Sequence, residues 1–261
     1  MGERVRLARA LAEDDRLRRA RNRRRESRVS DLIDTTEMYL RTVFELQEEG
    51  IAPMRARIAE RLGQSGPTVS QTVARMERDG LITVRDDRHL ELTDVGLDLA
   101  TRVMRRHRVA ECMLVEILHL DLASVHAEAC RWEHVMSDTV ERRILEILGH
   151  PSVSPFGNPI PGLPDEPGPE AEVGLRPLSD FRSPEAEWVT IRRIGETVHD
   201  DPDVMGRLSA ARALPGETVK VLASEGGGVM VGTGGEYAEL DSSLAAHVLV
   251  RAARQPSLEA G

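Results

Sequence analysis

The stretch from His126 to His134, His-Ala-Glu-Ala-Cys-Arg-Trp-Glu-His, constrains this chain more than any other. On a helix, residues three and four apart share a face, so His126, Cys130, Glu133 and His134 fall on one stripe. A helix that simply packs on a core would carry Leu, Ile or Val there. Imidazole, thiolate, carboxylate and imidazole together are a donor set of mixed softness, suited to a divalent transition metal. The fold expected from this stripe has a helix turned inward on a metal, with a second element close enough to respond to it.

The 261 residues are enough for more than one compact domain. Only 3% are aromatic, so cores must rely on Leu, Val, Ile, Ala and Met. No apolar run is long enough to span a bilayer, and the arginine-rich start lacks a secretory apolar segment. Two cysteines, Cys112 and Cys130, make no disulfide framework, so a reducing cytoplasm is the expected location. The net charge of −9 does not exclude a nucleic-acid partner, because arginines crowd residues 4–28 and recur at Arg55, Arg57, Arg61, Arg75 and Arg78. Residues 1–30 read as a basic extension outside the folded domains, an arm without fixed structure or the product of an early start codon, with DNA binding as the competing reading.

Asp34-Thr-Thr-Glu37 pairs an N-cap candidate with a glutamate three residues on, and the helix it opens is expected to stop at Gly50. A short helix follows from Met54 to Gly63. A second runs from Ser65 to Asp79, with Pro67 in its first turn, where the missing N–H costs nothing. Val69, Val73 and Met76 would face inward, leaving Thr68, Ser70, Gln71, Arg75 and Arg78 outside. Two short helices joined by a glycine turn, the second polar at its start, make a helix-turn-helix. Leu81–Val84 and Leu90–Thr93 flank a charged tip and predict a hairpin, the wing of a winged helix. Ser65, Pro67, Thr68, Ser70 and Gln71 would then enter the major groove of double-stranded DNA, while Arg55, Arg57, Arg75 and Arg78 meet phosphates. A helix-turn-helix that never touches DNA is the competing reading.

From Asp94 a long helix is expected, carrying Leu99, Ala100, Val103, His107, Ala110, Leu114 and Ile117 at helical spacing. His107 and Glu111 lie one turn apart, and with His126 they form a candidate second metal site. Ser137 or Asp138 would cap a helix ending at Gly149. Pro151 to about Glu187 reads as a Pro- and Gly-rich linker. Beyond it, Val189–Ile194, Thr218–Leu222, Val229–Val231 and Tyr237–Leu240 read as short strands of a small antiparallel barrel of SH3-like size. A terminal helix is expected between Ser242 and Ala253. The chain thus divides into the extension 1–30, a winged-helix domain 31–93, a helical domain 94–150, a linker 151–187, a barrel 188–256 and a tail 257–261. The fold class is mainly α with small β parts.

Asp34-Thr-Thr-Glu-Met-Tyr-Leu40, Arg55-Ala-Arg-Ile-Ala-Glu-Arg61, the run Ser65 to Gly80, Cys130-Arg-Trp-Glu-His-Val-Met-Ser137 and Ser154-Pro-Phe-Gly-Asn-Pro-Ile-Pro-Gly162 occur in this order. In this the sequence resembles the iron-dependent diphtheria toxin repressor family, closely over Asp31 to about Leu163 and loosely over the barrel. The resemblance implies a dimeric bacterial repressor with a winged-helix domain, a helical dimerisation domain and an SH3-like domain. It implies an activating metal site at Met38, Cys130, Glu133 and His134. An ancillary site would use His107, Glu111 and His126, completed by two ligands from the SH3-like domain. There Asp201 stands where the family has Glu, and Val204 where it has Gln; Asp200, Asp203 or His199 are alternatives. Arg108, Ser154 and Asn158 match residues that hold an anion beside that site.

A thiolate with a thioether selects against Mg2+, Ca2+ and Mn2+ and leaves Fe2+, Co2+, Ni2+ and Zn2+ open by ligand type. The resemblance selects Fe2+, with Co2+, Ni2+, Zn2+ and Mn2+ as ions able to substitute. A manganese-responsive repressor of the same fold would be expected to carry carboxylates in place of Met38 and Cys130. A metalloenzyme is the rival from another class, but the chain has no His-Glu-x-x-His, deaminase signature or nucleophile elbow. The expected regulator binds palindromic operators as a homodimer, one or two dimers to a site, with half-sites separated by turns of ~34–36 Å.

Overall fold

The computed structural model describes residues 34–168, 173–181, 183 and 185–254, so the extension 1–30 and the tail 257–261 lie outside it. Helix α1 covers residues 34–48 of the described chain. Its buried residues Tyr39, Leu40, Val43 and Leu46 recur at helical spacing, and Gly50 ends the helix region at φ 68°. Helix α2 (Arg55–Arg61) turns Ile58 inward. Helix α3 (Gly66–Arg78) is capped by Ser65, whose side chain accepts from Thr68 N, and it buries Val69, Thr72, Val73 and Met76. Strands β1 (Ile82–Val84) and β2 (Leu90–Leu92) pair antiparallel as the hairpin. These elements share one apolar core with Leu81, Ile82, Leu90 and Ala100. Full burial of each large aliphatic side chain there contributes about 1.5–3 kcal/mol.

Thr93 caps α4 (Asp94–Glu116) by accepting from Gly96 N. The hairpin base sits directly on this helix: a Cβ at Gly96 would stand 1.9 Å from the Leu81 carbonyl oxygen. Helices α5 (Leu122–Trp132) and α6 (Asp138–Ile147) complete the helical domain, capped by Asp121 and Ser137. α5 ends at Trp132, so Glu133 is its C-cap and His134 lies in the turn beyond.

The Pro-rich stretch after Pro151 departs from the expectation of a linker. Residues 151–168 hold no helix and one isolated bridge, Val153 with Pro159, and further along a short strand (Arg176–Pro177) and a 3-10 turn (Leu178–Asp180) follow. Yet Phe156, Ile160 and Asn158 are fully buried, and Ile194 N donates to Phe156 O. Its apolar residues join the core that runs unbroken from the helical domain into the C-terminal domain. Proline removes N–H donors but not the gain from burying Phe and Ile, so such a segment can pack without regular structure.

The C-terminal sheet has six antiparallel strands in the order β3-β8-β4-β5-β6-β7. They are β3 (Arg176–Pro177), β4 (Glu187–Ile194), β5 (Thr218–Ala223), β6 (Val229–Thr233), β7 (Glu236–Leu240) and β8 (Val248–Ala252). The terminal helix expected from Ser242 to Ala253 is corrected to one helical turn, α9 (Ser242–Ala245), followed by strand β8. Val248 and Val250 alternate inward and the strand completes the ladder of β4. Two helices absent from the sequence reading, α7 (Glu196–His199) and α8 (Pro202–Ala210), connect β4 to β5. Among the described residues no helix is long and apolar enough to cross a membrane.

Candidate metal centres and DNA-reading face

Three elements meet around the α4–α5 pair: α1 of the winged-helix domain, the turn after α5, and α7 of the C-terminal domain. His107 and Glu111, one turn apart on α4, are fully buried. His107 Nε2 lies 3.0 Å from Glu111 Oε1, and its Nδ1 lies 2.6 Å from Glu133 Oε2. Residue 107 therefore joins the two expected sites, which form one continuous cluster.

The activating quartet is not gathered on one point. Glu133 and His134 are neighbours, with His134 Nε2 3.2 Å from Glu133 Oε1. His134 Nδ1 lies 2.7 Å from Glu37 Oε2 on α1, and Asp34 completes a group with these two. Cys130 Sγ lies 3.5 Å from His126 Nε2. Between Cys130 and Glu133 stands the guanidinium of Arg41. Its Nη1 donates to Cys130 Sγ at 3.1 Å and to Glu133 Oε2 at 2.8 Å, while Nε lies 2.9 Å from Glu45 Oε1. Met38, one turn before Arg41 on α1, packs half-buried against the winged-helix core. Arg41 and Glu45 escaped sequence reasoning because an arginine and a glutamate on an α1 rich in both carry no local mark.

Electrostatics suit metal-binding donors. Burial alone would raise the Cys130 thiol, but Arg41 and hydrogen bonds from His107 and His126 bring it down to about 5, so it is a thiolate at neutral pH. Burial opposes the charge on Glu133, and Arg41 and His107 more than offset it, holding the carboxyl low. Cys112 is the contrast: burial, with Glu111 adding to it, pushes its thiol up. Burial lowers His126, yet Cys130 and Glu111 raise it to about 10, so a metal ion there displaces a proton.

Of the ancillary residues, His107, Glu111 and His126 come together with Glu196 of α7, all buried, with their ligand atoms within 4.8 Å of one another. Asp201 lies apart from them. Its side chain caps α8, accepting from Asp203 N at 3.0 Å and Val204 N at 3.1 Å. Val204 is buried and apolar. The Glu196–His199 pair, three apart on one face, was the sequence signal that could have pointed to α7.

Arg108, fully buried, is met by Glu48 of α1 through both carboxylate oxygens, at 3.0 and 2.5 Å, and by Glu196 at 3.3 Å. Ser154 Oγ accepts from Phe156 N, and Asn158 donates to Ile194 O and accepts from Arg193 Nε. The carboxylate of Glu48 thus stands on the arginine of the expected anion site, and the other two residues are engaged in the fold.

On the winged helix, Ser65, Pro67, Thr68, Ser70, Gln71, Arg57 and Arg78 are exposed, and Arg55 and Arg75 are half-buried. Arg75 donates to Thr36 Oγ1 at 3.3 Å, and Arg57 pairs with Glu60 at 3.1 Å. The start of α3 is therefore a solvent-facing surface of hydroxyl and amide groups flanked by arginines.

Three family models match. Residues 31–90 match the "Iron dependent repressor, N-terminal DNA binding domain", residues 93–162 the "Iron dependent repressor, metal binding and dimerisation domain", and residues 176–252 the "FeoA domain". The iron-dependent repressor IdeR of Mycobacterium tuberculosis is 53% identical over 208 residues, covering 78% of this chain and 90% of its own. The diphtheria toxin repressor of Corynebacterium diphtheriae is 51% identical over 220 residues, covering 83% and 96%. Among solved structures, a manganese-dependent transcriptional repressor in complex with manganese superimposes with a TM-score of 0.66 at 29% identity, over 84% of this chain and 100% of that one. The manganese regulator SloR shares the fold with a TM-score of 0.67 at 24% identity, over 84% and 98%. The chain belongs to the iron-dependent repressor family of metal-activated, DNA-binding transcriptional repressors, a family of regulators rather than enzymes.

Proposed function

We propose that this chain is an Fe2+-activated repressor of the cytoplasm that binds palindromic operators as a homodimer, one or two dimers to an operator, with metal held by Met38, Cys130, Glu133 and His134 and by the His107–Glu111–His126 cluster. The observation that carries the reading is the seating of α1 on the donor segment: Arg41 meets Cys130 and Glu133, and Glu37 meets His134. The helix that opens the DNA-binding domain therefore answers to the charge state of those donors. A bound divalent cation would supply a positive centre able to neutralise thiolate and carboxylate together. The residues fit such an ion: Cys130 is held as a thiolate, and Glu111 Oε2 and His126 Nδ1 are buried without a hydrogen-bond partner.

Arg41 neutralises Cys130 and Glu133, so ligation of those donors requires the guanidinium to withdraw. Met38 shares α1 with Arg41, and its sulfur would replace the guanidinium as α1's contribution to the donor set. Such an exchange turns or shifts α1, and with it the exposed start of α3. Reversing a 1:99 equilibrium between two arrangements requires a difference in metal affinity worth ~5.5 kcal/mol. Exposed apolar side chains of the helical domain, Ile117, Leu118, Val135, Val140 and Ile147, support a dimer contact there. Ser65, Pro67, Thr68, Ser70 and Gln71 read base edges in the proposal; Arg55, Arg57, Arg75 and Arg78 set the register on phosphates.

The test is an anaerobic anisotropy titration against a palindromic DNA library with Fe2+, Mn2+, Zn2+ or chelator. Binding that requires a divalent ion, with Fe2+ sufficient, is the expected result. Equal binding in chelator would overturn the reading, and a strict requirement for Mn2+ would reassign the metal.

A further inference from the structure

We infer that residues 1–30 are a second DNA contact of this repressor, their arginines binding the phosphates of duplex DNA that flanks the site read by α3, an inference that rests on the DNA-binding reading above. The segment lies outside all three matching family models, which begin at residue 31.

Charge is unevenly divided along the chain. Residues 1–30 hold eleven arginines against five acidic residues, a net charge of +6. The whole chain is −9, so residues 31–261 carry −15. The winged-helix domain itself, residues 31–93, has eight arginines and no lysine against twelve acidic residues, a net charge of −4. Duplex DNA carries one negative charge per ~1.7 Å of helix axis, and non-specific affinity comes almost wholly from cations that replace its counterions. A reading domain that is itself negative is poorly supplied with that term.

The structure sharpens the deficit. Arg41 and Arg61 are turned onto Glu45, Glu49 and Glu133 within the fold. Arg57 is paired with Glu60 at 3.1 Å and Arg85 with Glu91 at 2.5 Å, so a phosphate must displace a carboxylate to reach either. Ser65, Thr68, Ser70 and Gln71 at the start of α3 are exposed and uncharged. The attachment point of the basic segment lies close to this face: Thr36, in the first turn of α1, accepts from Arg75 Nη2 of α3 at 3.3 Å. Thirty residues reach at most ~100 Å from such a tether. Arginine clusters such as Arg23-Arg24-Arg25 offer guanidinium forks that match phosphate oxygens.

The experiment compares the full chain with a full-length variant carrying Arg18→Gln, Arg19→Gln, Arg21→Gln, Arg23→Gln, Arg24→Gln and Arg25→Gln together, which brings residues 1–30 to zero net charge. Binding to a palindromic duplex selected from the library, and to a scrambled duplex of equal length, is measured by anisotropy in saturating Co2+ without oxygen over a series of KCl concentrations. The glutamine variant should show a log–log salt dependence shallower by about 5 for each segment engaged, and at low salt at least about tenfold weaker binding to both duplexes. The preference for the palindrome should stay the same, because phosphate contacts carry no sequence information. Lysine at the same six positions should restore the slope. An unchanged slope in the glutamine variant, with Co2+ still stimulating binding to the palindrome, would overturn the inference and leave the regulator reading intact. Tighter binding by that variant would place the segment on the acidic body instead and overturn it as well, as would a lysine variant that stays shallow. Failure of wild type to bind either duplex with Co2+ would overturn both the inference and the reading beneath it.

Discussion

Arg41 offers the sharpest test of the coupling between α1 and the donor segment. Arg41→Met keeps most of the buried stem and removes the charge that holds Cys130, Glu133 and Glu45. Glu133 is 1% exposed and cannot recover hydration, so the loss belongs with buried pairs broken from one side, about 3–5 kcal/mol. A metal ion at Cys130 and Glu133 would replace the contacts of Nη1 but leave Glu45 unpaired, so it should restore only part of the loss. Urea unfolding of wild type and variant, each with and without saturating Co2+ in the absence of oxygen, gives the four stabilities needed. The deficit without metal should shrink with metal by at least about 1.4 kcal/mol, which by linkage is a tenfold tighter ion in the variant. An equal deficit in both conditions would refute the idea that guanidinium and metal compete for the same donors.

Other expectations follow from the same geometry. Cys130→Ala and His134→Ala should each abolish metal-stimulated operator binding in the anisotropy assay with the fold retained by circular dichroism; wild-type activation in either would remove that residue from the switch. In metal-free protein the Cys130 thiol should be alkylated by iodoacetamide with a midpoint near pH 5, while Cys112 stays unreactive. The sign is that of a depressed group: its stabilising contribution is complete above the ordinary thiol range, declines as pH falls, and is gone below about 5. A midpoint near the unperturbed ~8.5 would show that Arg41 does not hold the thiolate. Gly96→Ala should destabilise the winged-helix domain by about 1–3 kcal/mol in urea unfolding, because the added methyl meets the Leu81 carbonyl; unchanged stability would mean that the hairpin yields without cost.

Local rules made most of the winged helix legible. The Ser65 cap, Pro67, the glycine stops and the inward Val69, Val73 and Met76 each act within one or two turns, so periodicity and capping chemistry suffice to place α3. The donor stripe was visible for the same reason, although α5 stops one residue before Glu133. Strand β8 was missed because a five-residue run gains its stability from the ladder with β4, a partner more than fifty positions earlier. The packed Pro-rich stretch was misread because composition reports the missing N–H groups but not the pocket that takes Phe156 and Ile160.

The amino-acid order alone determined which chemistry is present: a thiolate, imidazoles and carboxylates at helical spacing, a polar start to α3, and a barrel of short strands. Only the tertiary structure decided which of those groups meet. It set Arg41 between Cys130 and Glu133, made His107 common to both clusters, turned Glu48 onto Arg108, and chose α7 over Asp201 to face α4. The reason is physical. Donor identity is a property of each residue, whereas the neutralisation of a buried charge depends on which distant side chain lies within a few ångströms, and that is settled only when the domains pack.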